Sequence, residues 1–291
     1  MLQPLPCIDS NDLAESRKAE LMIPRDKAAA LGWTAVEAAD RGYYEDSAGN
    51  RIDWSDLVER AVAAKVSIAP EDPLPARDIE LFGETRVQVA NETTLQAGRR
   101  MVDAGQRPLA LNFANGIQPG GGFLGGARAQ EEVLCRSSAL YKTLNGDPMY
   151  RHHGGRSLPD STQWAILTPD VPVFRTDAGQ PLDQPWLLSF ITCAAPVAAR
   201  VGQPAAGDLL ELRIRRVLAI ASAHGYTSLV LGAWGCGAFG NDPVRTAADF
   251  RDALETDFTG HFSDVLFAVT DWSPERKTLG PFRDTFARAI S

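Results

Sequence analysis

The 291-residue sequence lacks any long hydrophobic run. It contains no stretch of roughly 18 apolar residues, which excludes a transmembrane helix, and no apolar segment follows Met1 as it would in a secretory signal peptide. Hydrophobic residues make up 44% and charged residues 23% of the chain, as in ordinary globular proteins. We therefore expect a soluble, cytoplasmic protein with no membrane partner.

Cysteine and histidine are scarce, with four of each. The cysteines are scattered, without C-x-x-C spacing: Cys7, Cys135, Cys193 and Cys236. This pattern favours reduced thiols over a disulfide framework or a zinc site. The adjacent His152 and His153 have no third ligand at a metal-binding spacing, so we predict no metal and place both in a polar surface loop.

Basic stretches are absent as well. The net charge is −8, and lysine and arginine do not cluster into a stripe, which argues against direct DNA binding. No G-x-S-x-G, Walker A or H-E-x-x-H motif occurs. An anionic ligand would have to be held locally, by backbone amides and a few arginines.

The most informative segment joins a predicted buried strand to a predicted helix. The apolar run Leu109–Phe113 leads into a glycine-rich stretch that ends at Gly126, and a helical pattern then opens on Glu131 and Glu132. Glycine lets the backbone approach a ligand closely, and a helix N-terminus favours phosphate. One segment thus combines a phosphate-binding loop with two candidate catalytic carboxylates.

A second glycine-rich loop, Gly235–Gly240, satisfies the dinucleotide-binding pattern G-x-G-x-x-G. That pattern opens a six-stranded fold, whereas only 51 residues follow Gly240 here. We interpret the loop instead as a second phosphate-binding loop at the same sheet edge as the first. Asp242 is positioned to cap the next helix, with Pro243 as its first residue.

The two glutamates have a plainer interpretation, because acidic residues are common in the first turn of any helix. Adjacent helical residues also point about 100° apart, so we expect Glu131 and Glu132 to have different tasks. A helix N-terminus lowers a carboxyl pKa, whereas a general acid needs it raised. Burial or the neighbouring charge would have to outweigh the helix.

Repeated alternation of strands and helices from about residue 80 predicts an α/β fold, with a mixed central sheet between two helical layers. Residues 1–80 are predicted as a mainly helical extension packed on a core of residues 81–291. The other predicted elements are two helices within 10–40 separated at Pro24, a hairpin over 42–53, helices 54–65, 91–102, 128–144, 207–224, 243–258 and 280–290, a loop over 145–163, and strands 85–90, 108–113, 164–167, 186–193, 228–233 and 264–270.

The spacing Gly120-Gly-Gly122, seven residues, then Gln130-Glu-Glu132 resembles the signature of the poly(ADP-ribose) glycohydrolases. The surroundings are similar to the microbial-type branch of that family. They comprise Phe113–Asn115, Val89–Leu95, Thr168–Arg175 and Gly235–Gly240, and the resemblance spans roughly residues 10–290.

The resemblance implies a macrodomain-like fold that binds ADP-ribose in a cleft between the two loops, without cofactor or metal. Glu132 would be the catalytic carboxylate, Glu131 would hydrogen-bond ribose hydroxyls, Asn115 would contact the distal ribose, and Phe239 would position the substrate. The substrate-binding residues it implies are Asn115, Gly120, Gly121, Gly122, Gly126, Gln130, Gly235, Cys236, Gly237, Ala238, Phe239 and Gly240. Cys236 is expected as a small residue lining the cleft.

The implied reaction is hydrolysis of ribose–ribose O-glycosidic bonds in poly(ADP-ribose), carried on ADP-ribosylated proteins. Two alternatives stay open at this point: a binding module that does no chemistry, and a hydrolase of another ADP-ribose derivative. Retention of both glutamates argues against the first. The edge Thr85–Asn91 is the expected site of the adenine.

Overall fold

The computed structural model describes residues 1–78 and 80–287. Its strands are β1 Leu2–Pro4, β2 Tyr43–Glu45, β3 Arg51–Asp53, β4 Val66–Ile68, β5 Thr85–Ala90, β6 Leu109–Ala114, β7 Ala165–Arg175, β8 Pro181–Ala194, β9 Ser228–Leu231 and β10 Asp264–Ala268. Its helices are α1 Asn11–Leu21, α2 Arg25–Arg41, α3 Ser55–Ala64, α4 Thr94–Asp103, α5 Gln130–Ser137, α6 Leu140–Leu144, α7 Pro148–Gly154, α8 Ala198–Val201, α9 Ala205–Ala223, α10 Pro243–Glu255 and α11 Leu279–Ala287. None of the described helices is long and apolar enough to cross a membrane.

Eight strands form one mixed sheet in the order β1-β5-β10-β9-β6-β8-β7-β4. The pairs from β1 to β8 are parallel, and β7 and β4 add to the sheet antiparallel. The predicted mixed sheet is therefore confirmed. The carboxyl ends of β6, β9 and β10 meet at one edge, where open α/β sheets bind ligands.

The sheet is covered on both faces, as its side-chain alternation shows. Leu109 and Leu111 of β6 belong to a core shared with α9, α10 and α11, whereas Ala110 belongs to a core shared with α2 to α6. Successive strand residues point to opposite faces. The three-layer α/β/α arrangement is thus confirmed.

The amino-terminal elements follow the sequence signals. Ser10 caps α1 by accepting a hydrogen bond from the Leu13 amide, Pro24 separates α1 from α2, and β2 pairs antiparallel with β3. Residues 1–80 also supply β1 and β4, which form the two opposite edges of the main sheet. The sequence did not indicate these two short strands. The division into an extension and a core stays a prediction.

The predicted helix over 128–144 is wrong as a single helix. It is divided into α5 and α6 because Ser138 is extended, at φ −145° and ψ 175°, and forms a bridge with Val173 of β7. The Ala139 amide then donates to the carbonyl of Pro172. Strand pairing outside the helix overrides the local helical pattern.

The predicted loop over 145–163 contains α7, which Asp147 caps and Pro148 begins. The assignment of both histidines to a polar surface loop is wrong for His153, which is buried on this helix. The predicted strand 164–167 continues to Arg175 through an irregularity at Asp170, whose φ is +52°. The last predicted helix begins at Leu279, and its final residues 288–290 lie outside the described part of the chain.

Candidate active site

A cleft of about 350 Å³ opens where the strands of the parallel region end. Its walls come from the start of α5, from the loop 233–239 after β9, and from the segments 92–94 and 268–272. Of the predicted site residues, those that line it are Asn115, Gln130, Glu131, Glu132, Gly235, Gly237, Ala238 and Phe239. The two glycine-rich segments are thus brought to the same edge of the sheet.

The first glycine-rich loop crosses directly over the two glutamates. Gly121 has φ +57°, and a Cβ atom there would lie 2.4 Å from Oε1 of Glu132 and 3.0 Å from Oε2 of Glu131. Only glycine fits such a position. Although the glutamates are adjacent on a helix, their carboxylates therefore converge on one point below the loop, which the helical spacing did not suggest.

The predicted site glycines of this loop, Gly120, Gly121, Gly122 and Gly126, are not among the residues that line the cleft, which corrects the expectation for all four. A Cβ atom on Gly126 would lie 2.1 Å from the Arg25 carbonyl oxygen, so the loop packs tightly on the start of α2. The amide of Gly122 donates to Oε1 of Glu132 at 3.0 Å. The loop thus holds a catalytic candidate in place from outside the cleft lining.

Glu131 is buried, with 3% of its surface exposed. Its Oε2 accepts a hydrogen bond from the Asn115 amide at 2.7 Å, and its Oε1 lies 3.4 Å from Nδ2 of Asn112. Burial, reinforced by the charge of Glu132, raises the pKa of Glu131 to about 8, although these hydrogen bonds oppose the shift. Glu131 therefore keeps its proton at neutral pH.

Glu132 differs from its neighbour in how its two oxygens are used. Oε1 accepts from Gly122, whereas Oε2 has no hydrogen-bond partner among the described residues. The residue lines the cleft and lies in the first turn of α5. Glu132 is thus the member of the pair with a buried carboxylate oxygen that no described residue satisfies.

Gln130 and Asn115 hold this arrangement together. The Gln130 side chain accepts from the Phe113 amide and donates to the Leu111 carbonyl and to Oγ1 of Thr94, which ties α5 to β6 and α4. Oδ1 of Asn115 accepts from the amides of residues 117 and 118. Both the oxygen and the nitrogen of the Gln130 side-chain amide are therefore occupied by hydrogen bonds within the protein. Nδ2 of Asn115, in contrast, has no hydrogen bond to the described residues and is available to a ligand.

The second loop is held in place by hydrogen bonds from Asn241. Gly235 has φ +76°, and Nδ2 of Asn241 donates to its carbonyl and to that of Pro196. Asp242 caps α10 and Pro243 is its first residue, as predicted. The loop thus presents Gly237, Ala238 and Phe239 to the cleft.

Cys236 and Gly240 do not line the cleft, which corrects the expectation for both. The thiol of Cys236 lies 3.6 Å from Oγ1 of Thr246 on α10, on the protein side of the loop. Burial raises its pKa to about 12, so it remains a protonated, structural thiol.

Comparisons with known proteins identify the family. The family model "Microbial-type PARG, catalytic domain" matches residues 33–176. The poly(ADP-ribose) glycohydrolase (PARG) from Thermomonospora curvata is 39% identical over 89% of this chain and 99% of that one, with a TM-score of 0.84. The PARG from Deinococcus radiodurans, solved with ADP-ribose, is 38% identical over 87% and 97%, with a TM-score of 0.67. The chain belongs to the microbial-type poly(ADP-ribose) glycohydrolases.

A further structure of the T. curvata protein, bound to the inhibitor ADP-HPD, matches at 38% identity over 89% of this chain and 99% of that one, with a TM-score of 0.82. No curated protein matches the chain. The predicted resemblance and the macrodomain-like fold are thereby confirmed.

In this glycohydrolase the ionisable residues around the cleft are mostly acidic. Glu92 and Asp177 line it together with the two glutamates, and Arg128 is the basic residue among the described lining residues. Nη1 of Arg128 donates to the Ile23 carbonyl, on the segment between α1 and α2. The sequence did not single out Arg128 or Asp177. Arg128 is one of the seven residues between Gly122 and Gln130, and Asp177 lies just after the segment Thr168–Arg175.

His153 stabilises the glycohydrolase cleft from outside it. Its Nε2 accepts from the Thr162 amide at 3.1 Å, so Nδ1 carries the hydrogen and donates to the Gly116 carbonyl, also at 3.1 Å. Burial lowers its pKa to about 4, which keeps the ring neutral. His153 therefore fixes the turn that follows Asn115.

Among residues 1–78 and 80–287, no group of three His, Cys, Asp or Glu is placed to hold a metal ion.

Proposed function

We propose that this protein hydrolyses ribose–ribose O-glycosidic bonds in poly(ADP-ribose) and releases ADP-ribose, with Glu132 as general acid and then general base. The observation that carries the proposal is the pair of carboxylates beneath Gly121, of which only Glu132, a residue of the cleft wall, retains an oxygen without a partner among the described residues. Its position in the family signature, after Gln130, supports the same role.

The chemistry follows from the protonation of the pair. Because the pKa of Glu131 is raised to about 8, the two carboxylates together hold a proton at neutral pH. Glycosidic cleavage passes through an oxocarbenium-like state, and the departing hydroxyl needs that proton. We propose that this proton passes from Glu131 to Oε2 of Glu132 and from there to the departing ribose oxygen, and that the resulting carboxylate accepts a proton from the attacking water.

Substrate binding in this proposal combines both loops. The backbone amides of Gly235–Phe239 and the guanidinium of Arg128 face the anionic diphosphate, Asn115 and Glu131 face ribose hydroxyls, and Phe239 packs against the sugar. The natural substrates are polymers attached to ADP-ribosylated proteins. We also propose a cytoplasmic location, which the four free cysteines support.

The test is release of ADP-ribose from purified poly(ADP-ribose). Glu132→Gln should lower kcat by about 10³-fold, because a general acid–base residue typically contributes 10²–10⁴-fold. Its affinity for ADP-ribose, measured by calorimetry, should stay within about threefold, since Gln keeps the volume of the side chain. Glu59→Gln, at an exposed position on α3, is the matched control and should turn over like the wild type.

Full activity of Glu132→Gln would refute the assignment of Glu132. Tight binding of ADP-ribose by a wild type that yields no product would identify a non-catalytic module instead. Release of ADP-ribose from mono-modified protein but not from polymer would identify a different hydrolase. These outcomes separate the proposal from both alternatives.

A further inference from the structure

Arg136 lies one helical turn after Glu132 on α5 and is completely buried. It is not among the residues that line the cleft, so it does not touch a ligand there. Its Nη2 donates to the Asp177 carbonyl at 3.3 Å, while Nε and Nη1 have no hydrogen-bond partner among the described residues. Arg136 is thus a buried cation, with donors that no described residue satisfies, one helical turn from the candidate catalytic residue Glu132.

Asp177 meets Arg136 through its main-chain carbonyl and not through its carboxylate. It lies just after β7, with 3% of its surface exposed, and it contributes to the cleft wall. Its Oδ2 accepts from Oγ1 of Thr93 at 2.8 Å, and its Oδ1 has no partner among the described residues. Burial lowers the pKa of the Arg136 guanidinium, which the charges of Asp177 and Glu132 partly offset, and burial raises the pKa of Asp177 to about 7.

The segment around Asp177 also holds the backbone of α5. Oγ of Ser137 donates to the Thr176 carbonyl at 3.2 Å, and Nη1 of Arg175 donates to the Arg136 carbonyl at 3.3 Å. With the bond from Arg136 to Asp177, three hydrogen bonds therefore join the end of α5 to residues 175–177. The position of α5 depends on this segment.

The same contacts continue to the amino-terminal helix. Thr93 accepts from the Gln96 amide in the capping box of α4, and Nε2 of Gln96 donates to the Glu20 carboxylate on α1 at 2.9 Å. Elements far apart in sequence thus meet at Asp177. A displacement of any of them would move the wall on which Glu132 lies.

We propose that Arg136, through its bond to the main chain of Asp177, is a buried positioning residue for Glu132. This contact holds the first turn of α5 at the distance from the glycine loop that the reaction needs. This inference rests on the proposed role of Glu132 in polymer hydrolysis. Removal of the guanidinium leaves the buried Asp177 carbonyl without this donor, so that the segment shifts or recruits water. A misplacement of about 1 Å can cost about 10²-fold in rate.

The experiment compares Arg136→Met with Arg136→Lys. Arg136→Met should lower kcat on poly(ADP-ribose) by about 10²-fold, since the misplaced group acts in the chemical step. KM and the dissociation constant of ADP-ribose should stay within about threefold, because Arg136 is outside the cleft. Arg136→Lys restores the charge and should recover about tenfold of the lost rate.

Arg213 offers a matched control for the loss of a buried arginine. It is also almost fully buried, lies on α9, and donates to the Ala194 carbonyl at 3.0 Å. Arg213→Met should lower the unfolding temperature to a similar extent but leave kcat within about threefold of the wild type. An equal loss of kcat in Arg213→Met, or a loss in Arg136→Met that falls on KM alone, would overturn the proposal.

Ser137→Ala guards against misfolding of the arginine variants, because it removes a second hydrogen bond from α5 to the same segment, at the Thr176 carbonyl, without removing a buried charge. On its own it should lower kcat with KM unchanged, and an unchanged kcat would overturn the proposal. A wild type without activity on the polymer would instead refute the proposed function. The two failures are therefore distinguishable.

Discussion

Replacing Glu131 with Gln should stabilise the folded protein at alkaline pH and leave its stability nearly unchanged in acid. The structure keeps Glu131 protonated by burying it, and Gln imitates the protonated form. The side-chain amide of Asn112 contacts Oε1 of Glu131, and its Oδ1 is buried without a partner among the described residues. If the amide is rotated by 180°, Oδ1 accepts a hydrogen bond from a protonated Glu131 or from the side-chain amide of the replacement Gln.

The size of the effect follows from the shift in pKa. A rise from 4.5 to about 8 on folding corresponds to roughly 5 kcal/mol, since each pKa unit is worth about 1.36 kcal/mol. This is an upper limit, because any rearrangement that lets water reach the ionised carboxylate reduces it. Below pH 4.5 the carboxyl is protonated in both the folded and the unfolded state and contributes no difference. As pH rises to about 8, the unfolded state ionises and the folded state does not, so wild-type stability is lost.

Urea unfolding at pH 4.5, 6 and 8 measures this effect. The variant should match the wild type at pH 4.5 and exceed it by several kcal/mol at pH 8. The exposed Glu59→Gln controls for the general effect of removing a glutamate. A stability difference between Glu131→Gln and the wild type that does not change with pH would refute the reasoning.

Three further predictions concern the same region. Gly121→Ala should lower kcat by at least 10²-fold, because its Cβ would displace Glu132; Gly49→Ala, at φ +82° with open space around it, controls for backbone strain alone. His153→Gln should reduce the stability lost between pH 6.5 and 4, the range in which the unfolded but not the folded histidine gains a proton; urea unfolding across that range checks it. Phe239→Ala should lower kcat/KM by about tenfold with little change in unfolding temperature, since the ring is only half-buried, and steady-state assays on the polymer test this.

The elements at the centre of the candidate site could be predicted from the sequence because their signals are local. An apolar run, a group of glycines and a helical pattern specify β6, the loop and α5 without reference to the rest of the chain. The convergence of Glu131 and Glu132 was not predictable in this way. It depends on Gly121 passing over both side chains, which is a property of the folded loop and not of helical spacing.

Elements that depend on distant partners were missed. The strands β1 and β4 have three residues each and exist because β5 and β7 lie beside them. His153 looked like a surface residue because its partners, Gly116 and Thr162, come from separate segments. Asp177 looked like an ordinary turn residue, since nothing local links it to Thr93 or Arg136.

The placement of β1 and β4 has a consequence for how the chain acquires its structure during synthesis. Both edge strands lie within the first 68 residues, yet β4 pairs only with β7, which ends at residue 175. The segment that carries them must therefore wait for about a hundred further residues before both of its strands are paired. Conversely, a shortened chain that starts at residue 81 would expose the long edges of β5 and β7, which invites association between copies. We therefore expect the segment 1–80 to reduce aggregation by covering both edges of the sheet.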